Sequence, residues 1–482
     1  MNIVESILFQ CKLNPLALAI CVPGSKYGSV NYGTLERLIY NAARAALKTG
    51  IAPNTIVATY VNDKVLEAAI TFGLMYLGVV SLSLREPKAV TGITTDIILT
   101  DVPGKVSVDA TVLTVDQSWL EGEGTAPDTS PVDANDICRI ILTSGSTGLP
   151  KGVALSYRTM MDRTLSYSTL RGPRFAHCSR FFCDLGFGSS PGLHYTLALL
   201  GRGATIYFLG QEPADILQTI DLHKIQGMGT SPYGLGEFLR FFEADSNFET
   251  SFDHIICQGA MLSGHLSWRA RARLCQNIYS SFGATETSTV AFGSAVVIER
   301  VPGAVGYVQP GATINAVDQS GKVLPPLEDG AIRIRSRHMA SGYVGDQEAT
   351  EELFRDGYFY SGDIGHVTSD GLLVITGREK SALNIGGATV SPERVEEIIT
   401  SFGGIRESGV FAVNNDLGIA ELHALVVADA AIDEAGLRKY CAERLPTSCN
   451  LVRIIAVEAL PRGGQGKPER NRFAELAKVQ SV

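Results

Sequence analysis

Residues 143–152 read Thr143-Ser144-Gly145-Ser146-Thr147-Gly148-Leu149-Pro150-Lys151-Gly152, with three glycines, hydroxyl side chains beside them and one lysine. Glycine lets the backbone bend until several N–H groups converge on one anion, the hydroxyls add donors, and lysine supplies a movable positive charge. That combination suits a polyphosphate. It is not a Walker A loop, which needs glycine, four residues and then Gly-Lys-Ser/Thr. Here Pro150 stands five places after Gly145, and Gly152 follows Lys151. A Gly/Ser/Thr run taken alone also fits a surface hairpin, so the decision rests with the remaining sequence.

Such a loop must be held by its flanks. Ile140-Ile141-Leu142 leads in and Val153-Ala154-Leu155 leads out, and both read as strands. Upstream, Thr34 precedes Leu35, Leu38, Ile39, Ala42, Ala43, Ala46 and Leu47, the spacing of a core-facing helix. Residues 56–61 and 97–100 read as strands, and 121–135, with Gly, Pro, Asp and Thr, as a loop. Between 153 and 330, strands at 205–209 and 253–257 alternate with helices at 156–170, 213–223 and 263–275, which argues for an α/β sheet. Beyond Gly377 the elements shorten. Ser391-Pro392 opens a helix with Val395, Ile398 and Ile399 on one face. A strand at 422–427, a helix with Leu437, Tyr440, Cys441 and Leu445, and a strand at 451–457 follow. About 100 residues of this make-up suffice for a separate small α+β lid.

The 482 residues fit one large and one small domain, or roughly three domain-sized units. Apolar residues make up 45% and charged residues 19%, so a substantial core is expected and disorder is not. The net charge is −9, and no block of lysine and arginine occurs, which argues against a nucleic-acid surface. Nine cysteines without a Cys-x-x-Cys pair or a His cluster read as reduced, buried thiols of a cytoplasmic protein. The start Met1-Asn2-Ile3-Val4-Glu5-Ser6 lacks a basic region, so no signal peptide is expected. The uncharged run 68–84 falls just short of the threshold of about 18 apolar residues for a membrane span. It reads as a buried helix running through Gly78 into the strand Val79-Val80-Ser81-Leu82.

Further motifs follow the loop in order. They are Phe282-Gly283-Ala284-Thr285-Glu286, Ser341-Gly342-Tyr343, Tyr360-Ser361-Gly362-Asp363, Gly377-Arg378-Glu379-Lys380 with Gly386-Gly387 and Pro392-Glu393-Arg394-Val395-Glu396, and Leu460-Pro461-Arg462 with Gly466-Lys467. Together with residues 143–152 they resemble the adenylate-forming superfamily, which includes acyl- and aryl-CoA synthetases, luciferases and peptide-synthetase adenylation domains. In character the chain is most similar to acyl-CoA synthetases, and the matches cover most of 138–470.

The resemblance implies an α/β protein. A large N-terminal α/β domain of several sheets, 1–379, would bind ATP and the acid, and a small mobile α+β domain, 380–482, would act as lid. It implies an ATP-dependent ligase that converts a carboxylic acid to an acyl-adenylate and transfers it to CoA, releasing AMP and pyrophosphate. Thr143, Ser144, Gly145, Ser146, Thr147, Gly148 and Lys151 would cradle the β- and γ-phosphates. Phe282 would stack on adenine beside Gly283 and Ala284, with Gly259, Ala260 and Met261 lining the other side. Thr285 would touch the α-phosphate, and Glu286 would hold Mg²⁺. Asp363 would accept from the ribose hydroxyls with Arg378 assisting, and Lys467 would neutralise the α-phosphate and the incoming carboxylate. Lys380 falls at the hinge position, and Gly386-Gly387 would let a pantetheine arm pass close to the backbone. Each has an ordinary reading as well: Asp363 as a turn residue, Lys467 and Lys380 as solvated charges, Glu286 as a first-turn carboxylate. Their shared order argues for function.

The substrate segment departs from the relatives. Amino-acid-activating members would place an aspartate near 190, where Ser190 stands, so an α-amino acid is disfavoured. Gly188 lacks the histidine or aromatic ring that CoA synthetases often place there, and His194 reads as a helix-packed residue. Gly188, Ser189, Ser190, Gly192 and Tyr233 are the expected pocket, widened for a bulky or elongated uncharged acid. Ser361 replaces the usual threonine, and Asn384 stands where some relatives carry lysine. Two rivals remain at this stage. One is an acyl-AMP ligase loading the phosphopantetheine of an acyl carrier protein. The other is a non-catalytic nucleotide-binding scaffold, against which Lys151, Glu286, Asp363 and Lys467 count.

Overall fold

The computed structural model describes residues 2–479 apart from 26, 85–92, 96, 107–109, 145–149, 209–212, 245–248, 380, 386–387, 416–418, 446–448 and 464–466. A large N-terminal domain of several sheets precedes a smaller C-terminal one, the α/β arrangement expected. Most anticipated elements form within a residue or two of their expected ends. The early helix runs Tyr32–Lys48 and begins before Thr34, because the Asn31 side chain accepts the Thr34 N–H at 2.7 Å and caps it. The uncharged run becomes the buried helix Lys64–Tyr76 and the strand Val80–Ser83. Among the described residues no helix is long and apolar enough to cross a membrane. All nine cysteines are free and buried.

Among the described residues two sheets form the large domain. In the first, strands Leu18–Cys21, Thr205–Phe208, Arg180–Cys183, Gly227–Thr230, His254–Gln258 and Ile278–Ala284 lie side by side in parallel. The sheet continues antiparallel through Ser288–Ser294, Ala304–Val308, Leu372–Arg378, Tyr358–Val367, Gly330–Ser336 and Ala312–Val317. In the second, Ile137–Ser144 pairs with Pro150–Ser156 as an antiparallel hairpin appended to parallel strands. The interior strands are apolar on both faces because helices cover them, as parallel sheets require.

The C-terminal part has its own core. Ile405–Asn414, Ala420–Ala428 and Leu451–Ala456 form a three-stranded sheet. Helix Pro392–Thr400 packs on it through Val395, Ile398 and Ile399. The Ser391 hydroxyl accepts the Arg394 N–H at 3.4 Å, the cap expected from Ser391-Pro392. The strand Ile405–Asn414 was not anticipated, since Glu407 and Ser408 interrupt its apolar alternation.

Candidate active site

A cleft of about 1830 Å³ opens where the carboxyl ends of the parallel strands of the first sheet meet the second sheet and the C-terminal part. Ligands of α/β sheets collect at such ends because loops and helix N-termini diverge there. Residues far apart in sequence share its walls: Thr143, Lys151, Thr285, Glu286, Asp363, Arg378 and Lys467.

The wall expected to face phosphate is set by the hairpin, in which Thr143 stands opposite Lys151. The Thr143 hydroxyl donates to the Lys151 carbonyl at 3.4 Å. Gly145, Ser146, Thr147 and Gly148 lie outside the described residues, as does the side chain of Ser144. Lys151 Nζ lies 3.7 Å from Asp346 Oδ2 and 5.1 Å from the centre of the Tyr343 ring. The Tyr343 hydroxyl donates at 2.6 Å to Glu286 Oε1. Burial, reinforced by the Glu286 carboxylate, pushes the Tyr343 phenol well above its usual range, so it stays a donor. Beneath them Arg163 is fully buried. Its guanidinium donates to the carbonyls of His338 (2.7 and 2.9 Å), Thr285 (2.8 Å) and Glu286 (3.2 Å). Burial lowers Arg163 to about 10, which leaves it a cation at neutral pH. It ties the Thr285–Glu286 backbone to the segment leading into Tyr343.

Gly259, Ala260 and Met261 line the cleft together with Phe282, Gly283 and Ala284. Met261 and Phe282, both partly buried, pack on one apolar cluster. Gly283 must be glycine, since a Cβ there would lie 2.0 Å from the Ser288 carbonyl oxygen. Asp363, 4% exposed, faces Arg378 across two paired strands, with Arg378 Nε 2.9 Å from Asp363 Oδ1. One carboxylate oxygen is so engaged, and both residues line the cleft.

On the wall expected to face the acid, Ser190 and Tyr233 line the cleft, joined by Tyr167, Ser231, Gln258, Ser281 and Thr289, which sequence reasoning missed. Ser189 instead caps the helix Ser190–Leu200, its hydroxyl accepting the Gly192 N–H at 3.1 Å. Gly192 packs so tightly that a Cβ would lie 2.3 Å from the carbonyl oxygens of Leu185 and Gly186. Gly188, Ser189 and Gly192 shape the turn behind the wall and do not line the cleft. His194 is buried, its Nδ1 donating to the Ser190 carbonyl at 2.6 Å, and burial lowers it to about 3. It is the helix-packed histidine expected.

Lys467 enters the same cleft from the C-terminal part, its carbonyl accepting the Gly463 N–H at 2.9 Å. Nearby, the Arg462 guanidinium covers the Tyr233 ring at 4.5 Å and donates to Glu407. Lys380, Gly386 and Gly387 lie outside the described residues, the last two between the paired strands Leu383–Ile385 and Ala388–Val390. Among the described residues no cluster of three His, Cys, Asp or Glu could hold a metal unaided. Arg163 and Arg171 also went unread, although a signal existed. Met160, Arg163, Thr164 and Tyr167 repeat at helical spacing, so Arg163 falls on the inward face of the helix Tyr157–Thr169, whereas Arg171 stands just beyond its end.

Residues 10–344 match the family model described as AMP-binding enzyme. The chain is 26% identical over 503 residues to a 4-chlorobenzoate–CoA ligase of an Arthrobacter species, covering 98% of this chain and 94% of that one. It is 26% identical over 355 residues to a 2-succinylbenzoate–CoA ligase of Listeria monocytogenes, covering 71% of each. In structure it resembles the o-succinylbenzoate coenzyme A synthetase of Bacillus subtilis in complex with AMP. That likeness has a TM-score of 0.83 at 20% identity and covers 97% of both chains. The chain belongs to the AMP-binding enzyme family of adenylate-forming enzymes.

Proposed function

We propose that this enzyme is an AMP-forming acid–thiol ligase, which joins a carboxylic acid to CoA through an acyl-adenylate. The observation that carries the reading is the meeting in one cleft of Lys467 from the C-terminal part with Lys151, Thr285, Glu286 and Asp363. A carboxylate does not react with a thiol at neutral pH, because oxide or hydroxide would have to leave. Attack on the α-phosphate of ATP replaces that leaving group with AMP. Both reactants are anions, so catalysis is chiefly positioning and charge stabilisation.

The residues divide that work. Lys151 and the 143–148 segment hold the β- and γ-phosphates and the departing pyrophosphate. Phe282 and the 259–261 strand end bracket adenine, and Asp363 with Arg378 takes the ribose. Thr285 and Lys467 meet the α-phosphate, and Lys467 also screens the incoming carboxylate. Glu286 is a single buried carboxylate, which fits Mg²⁺, because that ion takes one or two carboxylates and fills its shell with phosphate oxygens and water. When bound, the ion neutralises phosphate charge. The boundary between the domains falls at 379/380, after the large sheet's strand Leu372–Arg378 and before Leu383–Ile385, which packs with the C-terminal core. Lys380 is the hinge there, and Gly386-Gly387 borders the thiol path. Buried free thiols suit a reducing compartment, the cytoplasm.

The test is an acid screen. Purified enzyme with ATP and Mg²⁺ is offered fatty, aryl and polycyclic acids, and acid-dependent pyrophosphate exchange is scored. Positive acids are then given CoA or a phosphopantetheinylated carrier protein, and the thioester is weighed by mass spectrometry. ATP binding without exchange for any acid would support a scaffold instead.

A further inference from the structure

Behind Tyr167 and Thr289 of the acid-facing wall lies a buried cation with no carboxylate partner among the described residues. Arg171 is 2% exposed, and its guanidinium lies 3.4 Å from the centre of the Tyr167 ring and 5.3 Å from that of Tyr195. Its Nη2 donates to Thr289 Oγ1 at 3.0 Å and its Nε to the Tyr195 hydroxyl at 3.3 Å, while Nη1 has no partner. The Gln258 amide, 4% exposed, lines the same wall, and its nitrogen also lacks a partner. Uncompensated buried donors are costly, so their retention beside a ligand cleft asks for an acceptor.

Hydrogen-bond direction says where that acceptor sits. A guanidinium can only donate, so Thr289 Oγ1 must accept from Arg171. Thr289 Oγ1 also lies 3.1 Å from Ser281 Oγ, and both residues line the cleft. If Thr289 donates to Ser281, the Ser281 proton is left over. If Ser281 donates to Thr289, the Thr289 proton is. Either way one hydroxyl proton, polarised by a buried cation, remains for a group in the cleft. An apolar acyl chain would strand that proton and the Gln258 amide; an oxygen acceptor would satisfy both.

Resting on the ligase reading above, we propose that the acid carries, remote from the carboxylate that is activated, a second oxygen acceptor, either a carboxylate or a carbonyl. The Ser281–Thr289 hydroxyls and the Gln258 amide receive it, and Arg171 is a positioning residue behind them. A carbonyl would keep the acid bulky and uncharged, as expected from the small residues of 188–192, whereas a second carboxylate would depart from that expectation.

The experiment compares matched acids, one ending in methyl and its partner in carboxylate or acetyl, across aryl and alkyl spacers of increasing length. Wild-type enzyme should favour the acceptor-bearing member by at least about tenfold in kcat/KM at the spacer that fits, one hydrogen-bonded set's worth of discrimination. Thr289→Val should bring that ratio close to one by raising KM for the acceptor-bearing acid, with kcat for it little altered. Thr289→Ser should restore the preference, which a packing defect would not permit. Arg171→Met, checked for fold by circular dichroism and melting, should shift the ratio in the same direction. A wild-type preference for the methyl members, or a ratio that Thr289→Val leaves unmoved, overturns the proposal while the ligase reading stands. No exchange with any acid from folded, ATP-binding enzyme overturns the ligase reading and this one with it.

Discussion

On the phosphate-facing wall each charged side chain meets a complementary group: Lys151 stands near Asp346, Glu286 receives the Tyr343 hydroxyl, and Asp363 faces Arg378. Behind that wall Arg163 spends its donors on three residues' carbonyls. On the acid-facing wall Arg171 rests on aromatic rings and two hydroxyls, with one nitrogen unpaired. Both walls rest on a buried arginine, yet every guanidinium nitrogen of Arg163 has a partner and one of Arg171 has none. On the reading proposed above, the first wall would serve ATP, whose charges are always the same, and the second would keep donors for the acid.

Breaking each wall should therefore give different symptoms. Arg163→Met would strand the carbonyls of Thr285 and His338, while that of Glu286 keeps the Ala340 N–H at 2.7 Å; at roughly 1–3 kcal/mol each, the large domain should lose about 2 kcal/mol or more. The readout is a lowered urea midpoint, and Arg171→Met, which strands no carbonyl, should lower it clearly less. Equal losses would erase the contrast between the walls. Glu286→Gln keeps the fold but removes the carboxylate, and adenylation should fall about a hundredfold or more in pyrophosphate exchange. Tyr343→Phe removes one charge-assisted donor to that carboxylate, which corresponds to about tenfold in the same assay.

The smallest effect concerns Asp184, whose Oδ2 accepts the Thr230 hydroxyl at 2.8 Å just behind the acid-facing wall. Burial raises this carboxyl from 3.8 to about 6, against the opposing Thr230 bond. The folded state thus holds the proton more tightly than the unfolded chain. The cost of ionising Asp184 is absent below about pH 4, grows up to about pH 6, and is complete above it. Asp184→Asn should leave the melting temperature unchanged near about pH 4 and raise it near about pH 7.5. The gain should be roughly 1 kcal/mol, since solvent screens a half-buried group. Stabilisation independent of pH would contradict that assignment.

Much of the phosphate wall was legible in the sequence because its groups are local. Glycine, hydroxyl and lysine fall within ten residues at 143–152, and Thr285 and Glu286 are neighbours. The strands and helices around them followed from apolar spacing, as at Tyr32–Lys48 and Lys64–Tyr76. The acid wall was not legible, because its hydroxyls come from separate strands whose register alone unites them. Gln258 and Ser281 are neighbours only through parallel pairing, and Ser281 reaches Thr289 only across a hairpin with a register shift. The small residues at 188–192 promised open space. Gly192 is small because two carbonyls press on it, and Ser189 because it caps a helix.

The central claim is that one cleft, completed by the C-terminal lysine, makes an acyl-adenylate. The most direct test is Lys467→Ala in two half-reactions on the same preparation. Hydroxylamine-trapped acyl-AMP made from acid and ATP should fall by about a hundredfold or more, the loss of a charge stabilising the transition state. Thioester formed from supplied acyl-AMP and CoA should stay close to the wild-type rate, since that step does not need charge at the α-phosphate oxygen. Undiminished adenylation, or equal loss in both half-reactions, would contradict the account.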